Sequence, residues 1–315
     1  MNQTSRIYVA GHSGLVGSAL VRALNDSGHE QLITRTHAKL DLCDASATLA
    51  FFKQERPEYV FLAAAKVGGI KANDTHPADF IRVNLQIQTN VIDAAQRTSC
   101  RKLLFLGSSC IYPKHAPQPM REEHLLTGPL EPTNDAYAIA KIAGILMCKS
   151  YNRQHGTNFV AAMPTNLYGP GDNFDLDSSH VLPALLRKFH QAKLAGHAPV
   201  ELWGTGSPRR EFLHVDDMAA GCLHLMRHFD YDPARPDAVF INLGSGQDLE
   251  IRELALLVQR IVGHEGELVW NSAMPDGTPR KLLDVSAAAA LGWRAKLELE
   301  EGIRRTYAWF LEHAA

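Results

Sequence analysis

A tyrosine and a lysine four residues apart, Tyr137-Ala-Ile-Ala-Lys141, lie in a stretch with helical patterning over about 135–154. Positions i and i+4 share one helix face, so the ammonium can lie near the phenol or near a bound ribose. A neighbouring positive charge favours phenolate and lowers the tyrosine pKa toward neutrality, as acid–base work demands. Alone, such a pair reads better as a partly exposed helix face. Two further features alter the balance. The apolar run KLLFLG (102–107) ends in Ser108-Ser109-Cys110, and a serine at that point can hold a substrate oxygen. Gly11, Gly14 and Gly17 follow the first apolar run (6–10) as G-H-S-G-L-V-G, at the start of a helical pattern. Jointly the three features indicate hydride transfer to or from a carbon–oxygen bond.

The glycine loop carries the expected cofactor. Glycines between a strand and a helix permit a tight turn, and they let the backbone around His12, Ser13, Leu15 and Val16 approach a pyrophosphate at the helix N-terminus. The second strand ends Thr34-Arg35-Thr36-His37, with no acidic residue for a ribose 2′-hydroxyl. Arg35 suits a 2′-phosphate, which favours NADP over NAD, although a solvated surface charge is the alternative. Asp41 and Leu42 stand where a strand–loop junction can contact adenine, and Ala63, Ala64 and Ala65 leave room for backbone approach. Cys110 is open to two readings. Free cysteine is commonly a small buried hydrophobe, whereas a thiolate beside a cation is a competent base for a proton alpha to a ketone.

These residues need a scaffold. Short apolar runs at 6–10, 31–35, 58–64, 102–107 and 158–163 alternate with helical patterns near 14–27, 45–55, 77–97 and 135–154. That alternation predicts an α/β fold: a doubly wound parallel sheet of the Rossmann type covered on both faces, with a smaller C-terminal α/β lobe. Residues 1–164 are expected to form the dinucleotide-binding domain and 165–315 mainly the substrate lobe, with a return of the chain around 213–243. Within that return a helix is predicted over 214–228 and a strand over 239–246, while 113–119 reads as a loop. The formal net charge of −2 leaves no electrostatic footprint for nucleic acid or an anionic membrane. Five scattered cysteines without C-x-x-C argue for reduced thiols in a cytoplasm, and no metal site is expected. The first strand begins so early that no signal peptide is expected.

Longer stretches make the resemblance specific. The spacing G-x-x-G-x-x-G, with LAAAKVGGI (62–70), LFLGSSCIYP (104–113), EPTNDAYAIAKIAG (131–144), MPTNLYGP (163–170), SHVLPALL (179–186) and PDGTPRKLLD (275–284), resembles the extended short-chain dehydrogenases/reductases. Within that group the chain is similar to the dual-function epimerase/reductases acting on GDP-4-keto-6-deoxy-mannose. Dehydratases of the group carry Thr-Asp-Glu where Ser108-Ser109-Cys110 stands here, so the carboxylates used for water elimination are missing. The resemblance implies that Cys110 removes the protons at sugar carbons 3 and 5 and that His180 reprotonates from the other face. It implies hydride delivery from NADPH to carbon 4, with Tyr137 protonating the alkoxide and Lys141 orienting the ribose. Leu106, Gly107, Pro164, Thr165, Asn166, Leu167 and His180 would also line the cofactor. Lys188, Trp203, Arg210, Asp276 and Lys281 are candidates for the nucleotide diphosphate, set against readings as a solvated charge, a core tryptophan and turn residues.

Two departures stand out. Some members carry arginine at the places of Ser13 and His37 to hold the 2′-phosphate, which leaves Arg35 as the main support for NADP. Lys188 replaces an arginine and keeps its charge without the bidentate fork. A 4-epimerase that recycles its nucleotide is the nearest rival, and a non-enzymatic dinucleotide sensor is another. A sensor has no need of Ser108, Tyr137 and Lys141 together. The resemblance also implies a homodimer packed through the helices near 77–97 and 135–154.

Overall fold

The computed structural model describes residues 1–176, 178–274 and 276–313, with the backbone alone at 70 and 71. Pro275, the first residue of the PDGTPRKLLD stretch, therefore lies outside the described residues. In chain order the first half comprises β1 (Ile7–Ala10), α1 (Leu15–Asp26), β2 (Leu32–Ile33), α2 (Ala45–Glu55) and β3 (Tyr59–Leu62). It continues through α3 (Ile70–Thr75), α4 (Pro77–Arg97), β4 (Lys102–Leu106), α5 (Asp135–His155) and β5 (Phe159–Pro164). The second half holds β6 (Asn166–Tyr168), α6 (Val181–Leu194), β7 (Val200–Trp203), β8 (Arg209–His214), α7 (Val215–His228) and β9 (Phe240–Leu243). Last come β10 (Asp248–Glu250), α8 (Ile251–Val262), β11 (Leu268–Asn271), β12 (Arg280–Lys281), α9 (Ser286–Ala290) and α10 (Leu299–His313).

Six parallel strands form the main sheet in the order β2-β1-β3-β4-β5-β9. Every residue of β1, β4, β5 and β9 is buried, as continuous apolar runs require when helices cover both faces. Alternation along β1 divides the two faces: Tyr8 and Ala10 join Phe51, Phe52, Val91, Ile92 and Ile145 on one side. Ile7 and Val9 join Leu20, Leu24, Met218 and Leu225 on the other. Helices α2, α4 and α5 thus cover one face, and α1 and α7 the other.

The strand order reverses at β1, whose neighbours β2 and β3 lie on opposite sides. In open parallel sheets such a reversal leaves a crevice at the carboxyl ends of the strands. The glycine loop leaves β1 there, and Ala63-Ala64-Ala65 leaves β3. The second strand is shorter than the 31–35 run predicts, because it lies at the sheet edge and pairs only through Leu32 and Ile33.

Beyond β5 the chain builds a second packing unit. Strand β8 pairs with β6, β10 and β12, while β7 pairs with β11. Phe174, Leu186, Phe189, Leu254, Val258 and Phe310 form its separate core, drawn largely from α6, α8 and α10. Between them, α7 and β9 return to the main sheet, with β9 paired to β5. The N-cap of α7 is His214, whose Nδ1 accepts from the Asp216 N–H at 3.2 Å. Asp216 and Asp217 follow in the first turn, where negative charge suits the helix dipole.

Candidate active site

Gly11, at φ +81, makes the first turn of the loop, and a Cβ there would come within 2.7 Å of the Ala64 nitrogen. A Cβ on Gly17 would overlap the Gly11 carbonyl oxygen, so the helix can start close beneath the loop only with glycine. Gly14 is the N-cap of α1 and provides no side-chain cap. The first N–H groups of α1 therefore keep their donors for a ligand, in an arrangement suited to a pyrophosphate. A cleft of about 620 Å³ opens over this loop. Its walls include Gly11, Ser13, Gly14, Leu15, Val16 and Gly17 from the loop, with Arg35, Asp41 and Leu42 at one end. Ala63, Ala64 and Ala65 and then Leu106 and Gly107 form the floor, and Pro164, Thr165, Asn166 and Leu167 the far wall. His12 does not line the cleft, and its Nδ1 is buried without a partner among the described residues. These walls fit a dinucleotide lying from the edge of β2 across the carboxyl ends of β1, β3 and β4.

Arg35 is less free than a lone basic residue suggests. Its guanidinium donates to Glu55 at 2.6 Å and to the Thr34 carbonyl at 2.8 Å, and lies 5.4 Å from the Phe51 ring centroid. It still borders the cleft beside His37. Held this way, the guanidinium is pre-aimed, with part of its charge shared.

Ser108, Tyr137, Lys141 and His180 line the same cleft. Helix α5 approaches β4 closely because Gly144 packs on the Phe105 ring, where a Cβ would overlap. One turn earlier, Lys141 reaches the Leu106 carbonyl at 2.8 Å, with Nζ 5.6 Å from the Tyr137 ring centroid. The i, i+4 pair is thus on one face as the spacing predicts. The expected acidic shift of the tyrosine is absent: burial pushes the Tyr137 phenol up, the Cys110 sulfur adds to this, and a hydrogen bond with Ser108 opposes it. Burial also brings Lys141 down to about 8. Desolvation thus sets the sign of the shift, and at neutral pH the phenol holds its proton.

Cys110 is buried in the short helical turn after β4, with Sγ 3.2 Å from Ser108 Oγ. Burial raises its thiol, opposed by the Ser108 hydrogen bond and then by the charges of Lys281 and Lys141. Ser108 therefore contacts both Cys110 and Tyr137. His180 is the N-cap of α6 and makes no side-chain cap; it opens into the cleft, yet the surrounding protein costs it hydration and lowers its pKa.

The five substrate candidates lie outside those cleft walls, along a path from surface to interior. Trp203 is 61% exposed, which removes the reading as a core residue, and Lys188 stands 5.8 Å above its ring. Asp276 accepts from the Thr205 N–H at 3.0 Å and from the Thr205 hydroxyl at 2.7 Å, immediately after Gly204. Arg210 is turned toward that loop, donating to the Thr278 carbonyl at 2.5 Å. Lys281 pairs in register with Arg210 and acts on Cys110. The cleft also contains residues to which the sequence attached no role, among them Lys66 and Val67 within LAAAKVGGI, and Val83 and Ile87. Lys66 pairs with Asp79 at 3.0 Å, and Phe80 beside it meets Tyr137 edge-on at 6.2 Å. Val83 and Ile87 had a signal in their i, i+4 spacing on α4.

Residues 7–244 match the NAD dependent epimerase/dehydratase family. Over 312 residues the chain is 57% identical to GDP-L-fucose synthase 1 of Arabidopsis thaliana, covering 99% of this chain and 95% of that one. A GDP-6-OMe-4-keto-L-xylo-heptose reductase from C. jejuni superposes with a TM-score of 0.93 at 42% identity, over 99% of each chain. A GDP-L-fucose synthetase from Naegleria fowleri bound to NADP gives 0.89 at 27% identity, over 99% of this chain and 95% of that one. With its glycine loop, its Ser108–Tyr137–Lys141 site and this likeness along almost its full length, the chain belongs to the NAD-dependent epimerase/dehydratase family.

Proposed function

We infer that this protein is an NADPH-dependent enzyme that epimerises GDP-4-keto-6-deoxy-D-mannose at carbons 3 and 5 and reduces it at carbon 4 to GDP-L-fucose. The observation that carries the reading is the position of Ser108, whose hydroxyl meets the Cys110 sulfur at 3.2 Å and also bonds Tyr137. One hydroxyl thereby joins a proton-abstracting group to a proton-donating one. The near-full-length likeness to GDP-L-fucose synthase 1 supports the substrate.

NADPH, when bound, supplies the hydride for carbon 4. The glycine loop would hold its pyrophosphate, Arg35 its 2′-phosphate, and residues 164–167 its nicotinamide. For epimerisation, Cys110, as the thiolate that burial disfavours and Ser108 and the two lysines favour, takes the proton from carbon 3 or 5 and the electron pair moves onto the carbon 4 oxygen. Ser108 and Tyr137 donate hydrogen bonds to that developing oxyanion. His180 returns a proton to the opposite face; its lowered pKa makes the protonated ring a stronger acid and a minor form at neutral pH. For reduction, Tyr137 keeps its proton until the carbon 4 alkoxide forms and then delivers it. Lys188, Trp203, Asp276, Arg210 and Lys281 hold the nucleotide diphosphate along their path.

Wild-type protein mixed with NADPH and the keto sugar in deuterated buffer tests this reading. Stoichiometric NADPH oxidation and deuterium at carbons 3 and 5 are expected. Exchange without net oxidation would favour a cofactor-recycling epimerase, and oxidation without exchange a simple reductase. The chain works as a homodimer through α4 and α5, whose shared face leaves Ile139 and Leu146 of α5 about two-fifths exposed. A monomeric mass by light scattering would contradict that. It resides in the cytoplasm, in keeping with five free cysteines. Among the described residues no helix is long and apolar enough to cross a membrane.

A further inference from the structure

Glu211, the third residue of β8, has no exposed surface, and among the described residues it forms no ion pair. Buried carboxylates without a cation are costly unless hydrogen bonds replace one. Here two backbone N–H groups do so. Gly246 donates to Oε1 at 2.7 Å and Leu283 to Oε2 at 2.9 Å, with the Ser245 hydroxyl 3.5 Å from Oε1. A Cβ on Gly244 would overlap Oε1, so the turn after β9 is shaped around this group. One N–H on each oxygen is an arrangement that suits a carboxylate. A glutamine of the same length would set its NH₂ against one of those donors.

The partners of Glu211 belong to separate parts of the molecule. Gly246 lies in the turn after β9 of the main sheet, and Leu283 follows β12 of the second packing unit. The main chain of Glu211 reaches a third part: its carbonyl accepts from the Asn166 side chain at 2.8 Å and from the Thr165 hydroxyl at 3.2 Å. Thr165 and Asn166 line the cleft on the wall assigned to the nicotinamide. The Thr165 N–H also donates to the Leu243 carbonyl of β9 at 3.2 Å. Beside Glu211 on β8 stands Arg210, which pairs in register with Lys281, and both are candidates for the nucleotide diphosphate. Cofactor wall and substrate path thus join at this carboxylate. None of these hydrogen bonds reaches the segments that carry Ser108, Cys110, Tyr137 and Lys141.

We propose that Glu211 is a positioning residue for hydride transfer, which holds the nicotinamide wall in register with the strands of the substrate path. The inference rests on the reading of the reaction as epimerisation followed by reduction. A misplacement of about 1 Å between reacting atoms costs about 10²-fold in rate. Proton abstraction at carbons 3 and 5 depends on groups carried after β4 and on α5, outside this network. Loosening the carboxylate should therefore separate hydride transfer from proton exchange.

The test compares two rates of the full-length protein with NADPH and the keto sugar: NADPH oxidation, and deuterium entry at carbons 3 and 5 in deuterated buffer. Glu211→Gln is expected to lower NADPH oxidation at saturating substrates by about 10–100-fold, with exchange and NADPH affinity within about threefold of wild type. NADPH deuterated at the transferred position should show a larger isotope effect in the variant, because hydride transfer then limits the rate. Glu211→Asp keeps the charge and both oxygens one methylene short. It should show the same split at about three- to tenfold, and it carries the test if the glutamine variant does not fold. The proposal is overturned if the two rates fall together, if neither falls, or if both variants lose NADPH binding, since the carboxylate would then be a structural tie alone. The underlying reading fails separately, if wild-type protein exchanges deuterium without oxidising NADPH.

Discussion

The dinucleotide cleft and the path from Trp203 to Lys281 are built by different means. The cleft is made of backbone and small side chains: a glycine loop at a helix N-terminus, three alanines, and a strand end. Its geometry is set by close approach, and few atoms can change without disturbing the sheet. The path is made of long charged or aromatic side chains on strands of two to six residues and the loops between them. A fold of this kind can hold its cofactor grip constant while its substrate grip varies with single side chains. Ser108, Cys110, Tyr137 and Lys141 stand where the two regions meet.

Removing one hydroxyl at that junction should separate the two half-reactions most sharply. Tyr137→Phe is expected to lower NADPH oxidation by about 10²–10⁴-fold, the usual worth of a positioned proton donor, while deuterium still enters the sugar. Equal loss of both would mean that the hydrogen bond from Tyr137 to the epimerisation oxyanion matters as much as its proton delivery to carbon 4.

The second largest effect concerns stability. Lys141 is buried with its pKa brought down to about 8, so its charged form is the penalised one. Between pH 8 and the unfolded value near 10.5 the unfolded chain binds more protons, and stability rises with pH across that window. Below pH 8 the whole penalty applies, about 3 kcal/mol before the Leu106 hydrogen bond is set against it. Lys141→Met should therefore raise the melting temperature at pH 7, with a gain that shrinks toward pH 10 in thermal melts. A gain independent of pH would mean that packing, not charge, is responsible.

Within the cofactor region, backbone should outweigh charge. Gly17→Ala forces a Cβ into the Gly11 carbonyl and is expected to cost about 1–3 kcal/mol, or roughly 10–100-fold in NADPH affinity by titration. Arg35→Ala should cost only about tenfold for NADPH and little for NADH, because Glu55 already shares that guanidinium. The reverse ranking would mean that side-chain charge, not loop geometry, holds the cofactor.

The same contrast explains what the sequence disclosed. Continuous apolar runs and long amphipathic stretches gave the main sheet and its helices, and the helix predicted from 77 to 97 ends where α4 ends. Tyr137 and Lys141 were legible because a helix fixes the relation between i and i+4. Strands β7, β10, β11 and β12 were not legible, since two to four residues carry no period of their own and their partners lie far away in the chain. Burial was equally hidden: spacing predicted a charge effect on Tyr137, but the sign of its shift is set by desolvation from residues scattered along the chain. Lys281 was found as a basic residue in a matching stretch, while its place beside Arg210 depends on β8 and β12 pairing in register.

Cys110 is the residue on which epimerisation turns, and isotope exchange tests it most directly. Cys110→Ser incubated with NADPH and GDP-4-keto-6-deoxy-D-mannose in deuterated buffer should bind NADPH as wild type does and leave carbons 3 and 5 without deuterium. Deuterium entry at the wild-type rate in that variant would contradict the assignment of Cys110 as the base.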